Sequence, residues 1–466
     1  MTRTMWIVLL LLCTACTAKT KSDDSGGPPD TDADTDADAD TDTDVDCAAI
    51  ATLEDGLTPT LELHVSTTGS DSEGDGSEDN PFATLEHAAD LASPGTAIRI
   101  HPGTYSGDNY VYDLAGTADA PIWLGGVPGE ARPIVDGGGE GLKLTRAVYV
   151  IVHDLEIRGA TSNGINTDDG GAYDDATATH HLLFRDLYVH DIGTGSNEDC
   201  LKLSGLRNYQ VLDSEFHDCG GSIFGSGIDQ VGCHHGLIAR NSFHDHSGNA
   251  VQVKGGSTDI EIRWNHMVEG GERSVNMGGR TGHGYFRPPL SETEPNAEAR
   301  DVRVIGNLIE GAEASLAFTG CVDCVVAHNT IVDAHNWLLR ILQEATTGDG
   351  YEFEPARDGQ FVNNVVYFDR SDLSTYINVG GGTSPETFVF SNNLWYAHDD
   401  PGASTPDLPV GETAGIYGQD PVFTDGFAIG ADSPAAGAGT PTDWLAGDIT
   451  GTCYADTPSI GAYEVP

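Results

Sequence analysis

Basic residues are scarce in this sequence. Lys and Arg number 22 against 73 Asp and Glu, so the formal net charge is −51 at pH 7. A protein that binds nucleic acid needs a basic surface to neutralise phosphates, and this balance therefore excludes nucleic acid as a partner. The same charge repels acidic glycans unless a few local cations or calcium ions offset it.

The apolar run at the amino terminus is too short to span a bilayer. Residues 1–18, MTRTMWIVLLLLCTACTA, have a basic start, an apolar core and small residues before Cys16, which predicts an export signal. The ending Cys-Thr-Ala-Cys resembles a bacterial lipobox. That resemblance implies lipidation of Cys16 and an outer-membrane or cell-surface lipoprotein, with contact to the membrane only through the lipid anchor. Plain secretion is the alternative.

Residues 19–46 contain no apolar residue large enough to seed a core. They include TDADTDADADTDTDVD, whose like charges repel one another and extend the segment. We therefore predict a disordered tether here. Residues 47–466 are long for one globular domain but ordinary for a solenoid that grows by adding coils, so we expect one monomeric domain.

A repeat between Leu182 and Gly279 organises this domain. Four copies each contain a short β-rich run, a His-Asp or Val-Glu turn, a loop rich in Gly, Ser or Asn, and a second apolar strand. The copies recur about every 24 to 27 residues, which is typical of a solenoid. Short strands and polar loops favour an all-β parallel β-helix, since the regular Leu framework of a leucine-rich repeat is missing.

Aligning the second strand of each copy separates inward from outward positions. Period-two alternation directs Leu201, Leu203 and their equivalents inward and a polar column outward. A second polar column, Asp199, Ser226, Asn249 and Arg273, flanks it. These columns predict either a binding groove or simply a solvated sheet face. The candidate substrate-binding residues are Lys202, Asp229, Gln252, Arg273, Asn276 and, from a later loop, Arg287.

Residues 64–107 carry motifs of a known superfamily. A Gly- and Asp-rich loop, a Pro-Phe-x-Thr-Leu helix at 84–92 and a Pro-Gly-Thr-Tyr turn resemble the start of right-handed parallel β-helix proteins. DPVF, SPAAGAG and SIGAYE, between residues 420 and 464, are similar to their closing segment. The resemblance implies a single-stranded right-handed β-helix with a short N-terminal capping helix. We place the first coil strand of this β-helix at 97–101.

Asparagines near one turn predict a stacked ladder whose side chains satisfy buried backbone groups. The candidates are Asn241, Asn265, Asn307, Asn329, Asn363 and Asn392.

Cysteines of an exported chain are free to form disulfides. The domain has an odd number of them, which leaves at least one thiol unpaired. A bond between Cys47 and Cys453 would tie the two ends of the domain together. Cys321 and Cys324 favour a local disulfide or stacked buried thiols over a zinc site, because no second such pair accompanies them.

Two loops interrupt the repeat. The loop at 166–181 offers four carboxylates to calcium, a hard cation that prefers oxygen ligands, although a solvated acidic loop explains them equally well. These are Asp168, Asp169, Asp174 and Asp175. The loop at 278–299 concentrates Arg, His and Tyr, which suits recognition of an anionic sugar, since Arg pairs with a carboxylate bidentately. The alternative is that its Phe and Pro residues only anchor a long loop.

The run from Gln252 to His266, followed by Arg273, resembles the Lys and downstream Arg pair of alginate and chondroitin lyase β-helices. This resemblance implies a polysaccharide lyase that cleaves uronate-containing glycans by β-elimination. Lys254 is then the base, Arg280 or Arg287 binds the carboxylate, and His283 or Tyr285 donates the proton to the leaving oxygen.

Other functions fit the same fold. A glycoside hydrolase would use paired carboxylates, for which Asp199, Asp229 and Glu198 are candidates. A uronate epimerase would share the proton abstraction without bond cleavage. A non-catalytic surface protein would use the face for carbohydrate binding or as a scaffold, since a fold does not fix a function.

Overall fold

The structure, a computed structural model, describes residues 47–195, 198–221, 224–345 and 348–465. The predicted signal peptide, the lipidation site Cys16 and the tether lie outside these residues. Within them the chain winds as a parallel β-helix: three short strands per turn, each paired in parallel with its equivalent one coil earlier and one coil later. The predicted fold class is confirmed.

The strands of the described residues build three sheets of 13, 10 and 12 strands. Sheet 1 contains Leu61–Val65, Thr96–Ile100, Ile122–Gly126, Val148–His153, His180–Arg185, Arg207–Leu212, His234–Ala239, Ser257–Arg263, Ala299–Ile305, Cys321–Val322, Val325–Ala327, Gln360–Val362 and Val389–Ser391. Sheet 2 contains Asn109–Tyr112, Leu142–Thr145, Ile165–Asp168, Leu201–Ser204, Ser226–Val231, Asn249–Lys254, Arg273–Gly278, Ala314–Thr319, Trp337–Leu342 and Ile377–Val379. Sheet 3 contains Thr104–Ser106, Ile134–Asp136, Glu156–Arg158, Tyr188–Ile192, Glu215–Cys219, Ser242–His244, His266–Val268, Leu308–Glu310, Thr330–Val332, Val365–Phe368, Leu394–Ala397 and Ile416–Tyr417.

Helical structure in the described residues is short. The one α-helix is Leu85–Leu91, and the 3₁₀ turns are His283–Tyr285, Arg370–Asp372, Pro385–Thr387, Pro401–Ala403 and Asp425–Phe427. Thr84 caps the α-helix by accepting a hydrogen bond from the backbone N–H of His87. The predicted capping helix is therefore confirmed, one residue shorter at each end.

The core runs along the axis of the solenoid. Inward residues of equivalent strands stack in register, so Leu201, Ile228, Val251 and Val275 form one continuous buried column. This is the alignment expected from the repeat. The first coil strand, however, is Leu61–Val65 rather than 97–101, because Leu61–Val65 pairs in parallel with Thr96–Ile100. The sequence LELHV carries no copy of the repeat that would reveal this pairing.

An asparagine ladder supports one turn of the helix. The backbone N–H of Asn265 donates to Oδ1 of Asn307 at 2.9 Å, and Asn307 donates in the same way to Asn329 at 3.0 Å. The ladder continues through Asn364 and Asn393, not through the predicted Asn363 and Asn392.

The two wrongly predicted residues, Asn363 and Asn392, each lie one position before the asparagine that belongs to the ladder. Each ladder asparagine follows a residue with positive φ, and in the two Asn-Asn pairs the first asparagine adopts that left-handed conformation. Asn363 and Asn392 have φ values of 57° and 53°. Asparagine tolerates this region, so it suits both positions of the turn.

An N-terminal strap, residues 47–57, lies against the outer face of sheet 1. Ile50, Leu53 and Leu57 contact buried side chains of several coils there. Glu54 pairs with Arg185, its Oε1 lying 2.5 Å from the guanidinium Nε. The Cys47–Cys453 disulfide then joins the strap to the carboxyl-terminal segment, as the sequence suggested.

The other cysteines also form pairs. Cys200 bonds to Cys219 and Cys321 to Cys324, while Cys233 is a buried free thiol. The local disulfide at Cys321 is confirmed, as is the presence of an unpaired thiol.

Asn307→Ala tests the ladder. We expect the free energy of unfolding to fall by about 2–6 kcal/mol, because Asn265 loses an acceptor and the Ile262 carbonyl loses a donor, at about 1–3 kcal/mol for each buried group. Urea denaturation measures the change. The control Asn208→Gly alters an exposed asparagine at positive φ, which glycine accepts, and should change stability by less than about 0.5 kcal/mol. Equal effects of both substitutions would contradict the structural role of the ladder.

Candidate functional site

A cavity of about 890 Å³ lies on the outer face of sheet 2. Its lining includes every lysine that follows Lys21 in the sequence, namely Lys143, Lys202 and Lys254. We call it the lysine cavity. The other residues that line it are Tyr112, Thr145, Arg146, Asn163, Asn166, Asp168, Asp169, Gly170, Gly171, Tyr173, Ser204, Val231, Arg280, Thr281, Gly282, Tyr285 and Arg287.

The β-helix register brings the lysines together. Lys143, Asn166 and Lys202 occupy one outward position on three successive coils of sheet 2. Lys254 ends its strand two coils after Lys202, at the position that pairs with Val231. Residues far apart in sequence therefore share one wall, because the coil spacing repeats.

Two buried aspartates lie beneath Lys202 and Lys254. The Nζ of Lys254 is 3.0 Å from Oδ2 of Asp229, and Lys202 contacts the same oxygen. Lys202 also lies 3.1 Å from Oδ2 of Asp199. The side chains of Asp199 and Asp229 are 0% and 1% exposed. Both aspartates thus neutralise lysines from below and do not reach the cavity.

Burial shifts the titration of this network. Burial of the carboxyl raises the pKa of Asp199, with Lys202 acting in the opposite direction. Burial also acts to raise the pKa of Asp229, but the ammonium groups of Lys202 and Lys254 outweigh burial, so the pKa of Asp229 is lowered. The same two carboxylates raise the pKa of Lys202 in spite of its desolvation. Lys202 is therefore a permanent cation of the cavity wall.

Arg280 differs from the other cations. It lines the cavity, it is exposed, and among the described residues it forms no ion pair. Tyr285, from the same loop, also lines the cavity and is 61% exposed. These two side chains line the cavity and are exposed to solvent.

Arg287 has a structural role instead of the predicted contact with substrate. Its guanidinium is buried and donates two hydrogen bonds to Asp169, at 2.6 and 3.0 Å, while lying 4.4 Å from the ring centre of Tyr173. The bidentate pair holds the loop at 278–299 against the loop at 166–181. Because this pair occupies its guanidinium, Arg287 is less suited than Arg280 to bind a sugar carboxylate.

His283 also lies apart from the cavity. Its Nδ1 is 3.1 Å from Oδ2 of Asp349, and its ring contacts Tyr351 and Phe353. The prediction that it donates a proton at the cavity does not fit this position. Of the two predicted donors, only Tyr285 lines the cavity.

The predicted polar groove along sheet 2 is not open beyond Lys202. Asp229, Gln252 and Asn276 do occupy one column in register, but all three are buried. Asn276 accepts a hydrogen bond from the Thr319 hydroxyl. The buried Arg273 pairs with Glu344 at 2.7 Å.

Asp229, Gln252, Asn276 and Arg273 therefore have structural roles in place of the predicted contacts with substrate. The polar residues of the column bond to neighbours, and the loop that begins at Gly278 approaches it closely. A Cβ on Gly279 would lie 2.6 Å from Nε2 of Gln252. Loop coverage of this kind is not visible in a strand alignment.

The four aspartates of the predicted calcium site do not converge. Asp168 pairs with Lys143 at 2.9 Å, and Asp169 with Arg287. Asp175 accepts hydrogen bonds from the backbone and hydroxyl of Thr177. In the part of the chain that the structure describes, no three of these carboxylates place oxygens within 4.8 Å of one another. The nearby cations Lys143 and Arg287, together with hydrogen bonds within the loop, account for the positions of Asp168, Asp169 and Asp175.

Several cavity residues were not predicted, although a signal for one of them is present. The tripeptide Leu-Lys-Leu occurs at 142–144 and again at 201–203, and the two copies occupy equivalent strands. Extending the repeat two coils towards the amino terminus would have found Lys143. Nothing comparable marks Arg146, which pairs with Asp113.

With this geometry in view, comparisons with known proteins identify the fold. Residues 63–259 match a family model described as Pel9A-like, right handed beta helix region. The chain is a right-handed parallel β-helix. The crystal structure of pectate lyase Pel9A aligns with a TM-score of 0.56 and 16% identity, covering 90% of this chain and all of that chain. XylC, solved in complex with xylose, aligns with a TM-score of 0.53 and 12% identity over 86% of this chain and 98% of that one.

A curated relative matches part of the chain. The uncharacterized protein YwoF of Bacillus subtilis (strain 168) is 28% identical over 149 residues. The match spans 29% of this chain and 30% of YwoF. The described part of this chain contains no helix long and apolar enough to cross a membrane.

Asp229→Ala tests the buried charge network. It removes the carboxylate shared by Lys202 and Lys254, and we expect a loss of about 3–5 kcal/mol in unfolding free energy, because Lys254 then loses its carboxylate partner and faces the ammonium group of Lys202, which keeps only Asp199. Urea denaturation measures the loss.

The matched control is Asp213→Ala. Asp213 pairs with Arg240 at 2.7 Å, with both side chains well exposed, and its removal should cost less than about 1 kcal/mol. A small effect at both positions would contradict the view that Asp229 supports the cavity wall.

Proposed function

We propose that this protein is an exported polysaccharide lyase that cleaves a uronate-containing glycan by β-elimination in the lysine cavity. The observation that carries the proposal is the concentration of cations there. A chain with a net charge of −51 directs Lys143, Lys202, Lys254 and Arg280 towards one cavity. Cations so arranged recognise an anionic ligand, and uronate sugars are one class of anionic unit in polysaccharides.

β-Elimination on a uronate needs three functions, and the cavity offers a residue for each. Arg280, which forms no ion pair among the described residues, binds the sugar carboxylate and stabilises the charge that develops when the adjacent proton leaves. Lys254 accepts that proton. Tyr285 donates a proton to the leaving oxygen.

Lys254 must lose its own proton before it acts as a base. Lys254 and Lys202 share the carboxylate of Asp229. A lysine held in an ion pair with a carboxylate can bind an anionic ligand without taking up a proton. Binding without cleavage is thus the second candidate function, and the contact between Lys254 and Asp229 favours it.

The hydrolase alternative has less support. Its paired carboxylates would include Asp199 and Asp229, both buried beneath lysines. Lys202 and Lys254 lie between these two carboxylates and the cavity. An epimerase would use the proposed base and carboxylate-binding residue, and product analysis separates it from a lyase.

Export and a lipid anchor at Cys16 remain part of the proposal. Calcium remains a prediction too, although at the loop 166–181 it would have to displace Lys143 from Asp168 and Arg287 from Asp169. Assays with and without added calcium check this requirement.

The first functional test measures unsaturated uronate ends by ultraviolet absorbance. The purified protein is incubated with pectate, alginate and glycosaminoglycans, and we expect absorbance to rise with one of them. Lys254→Ala should lower the rate by at least about 100-fold, as loss of a general base does.

Arg158→Ala is the control for that test. Arg158 pairs with Asp136 on sheet 3, outside the cavity, and its loss should leave the rate unchanged. Absorbance that never rises, together with retained glycan binding that depends on Lys202 and Arg280, would replace the lyase proposal with the binding function.

A second test separates carboxylate binding from proton transfer. Arg280→Ala should lower kcat/KM by about 10- to 1000-fold, because the developing negative charge loses a stabilising cation. Arg280→Lys should recover part of the loss, since it restores charge but not the bidentate geometry. A kcat/KM for Arg280→Ala equal to that of the unmodified protein would exclude the assigned role.

A further inference from the structure

A histidine ladder occupies the outer face of sheet 3, a different sheet from the one that carries the lysine cavity. His190, His217 and His244 pair in register on three successive coils. Their rings stack with centroid separations of 4.9 and 4.4 Å and interplanar angles of 5° and 9°. Three imidazoles thus face the same side of the molecule, one coil apart.

Each histidine of the ladder is followed by an aspartate with positive φ. Asp191, Asp218 and Asp245 have φ values of 53°, 50° and 56°, which turn each carboxylate back towards the preceding ring. Their Oδ2 atoms lie 2.7, 2.7 and 2.9 Å from the histidine Nδ1 atoms.

A carboxylate accepts a hydrogen bond from Nδ1–H and so leaves the lone pair on Nε2. This carboxylate–histidine arrangement is the one that orients imidazole ligands of metals. The His-Asp turns of the sequence repeat therefore orient each ring as a metal-binding imidazole is oriented.

Two of these histidines converge with a carboxylate. Oε1 of Glu215 lies 3.3 Å from Nε2 of His244, and possible ligand atoms of Glu215, His217 and His244 all lie within 4.8 Å of one another. The Tyr188 hydroxyl is 3.0 Å from Nε2 of His217. The side chains of His217, His244 and Glu215 are 12%, 31% and 47% exposed, so an ion can enter from solvent.

We propose that Glu215, His217 and His244 form a site for a divalent transition-metal ion of the zinc class. Two imidazole nitrogens and one carboxylate oxygen suit Zn²⁺, whereas the hard cations Ca²⁺ and Mg²⁺ prefer oxygen-only sites. Three protein ligands leave a fourth tetrahedral position for water. The Tyr188 hydroxyl gives up its contact with His217 when the ion binds.

The site joins two coils. Glu215 and His217 belong to one strand and His244 to the next strand of sheet 3. An ion held between them adds a bond across the coil interface, and because it binds only the folded chain it also stabilises the fold. The site does not depend on the function of the lysine cavity.

Isothermal titration of the mature chain with Zn²⁺, produced without a polyhistidine tag, tests the proposal. We expect one Zn²⁺ per chain, and Co²⁺ bound in its place should give the visible absorption of a tetrahedral nitrogen and oxygen site. The double variant His217→Ala/His244→Ala should lose this binding. Asp245→Asn, which keeps all three ligands but weakens the orienting hydrogen bond, should lower the affinity about 10- to 100-fold.

The matched control is His335→Ala. His335 pairs with Glu269 at 2.9 Å, which is a single histidine–carboxylate pair, so its loss should leave the affinity for Zn²⁺ unchanged. Circular dichroism of each variant establishes that it is folded. No binding by the unmodified chain, or equal affinity in the folded double variant, would overturn the proposal. A Ca²⁺ affinity higher than that for Zn²⁺ would overturn the assigned class of metal.

Discussion

In-register hydrogen bonding between successive coils is the interaction on which the rest of this structure depends. Each strand pairs in parallel with its equivalents in the coils before and after it, so a side chain's direction repeats along the whole stack. A shift of one residue would exchange the buried and exposed sets of a coil. Apolar columns, the asparagine ladder, the lysine cavity and the histidine ladder are all products of that one register.

The register explains how polar side chains of one type come to lie together on a chain with so few cations. Residues separated by a coil length in sequence are neighbours in space, and a single recurring position can build a column of like groups. Such columns are costly when the groups are charged. The buried carboxylates beneath Lys202 and Lys254 offset the repulsion there, and Asp168 does the same for Lys143.

The periodic features of the molecule were predictable and its loop contacts were not. The fold, the inward columns and the capping helix follow from patterns that recur or from segments that resemble known ones. The predicted roles of Arg287, His283 and Asp168 do not match their positions, because each pairs with a residue of another loop or coil. A one-residue ambiguity placed Asn363 and Asn392 wrongly, since asparagine suits both positions of the turn.

The N-terminal strap changes the mechanical character of the solenoid. In a simple stack each coil contacts only its two neighbours, and the terminal coils separate first. Here residues 47–57 contact several coils of sheet 1 at once, and Cys47 bonds to Cys453 across 406 residues of sequence. The disulfide therefore makes a covalent shortcut between the two ends of the domain. A pulling force applied at the chain ends would pass through this bond, which keeps the load off the coils between Cys47 and Cys453.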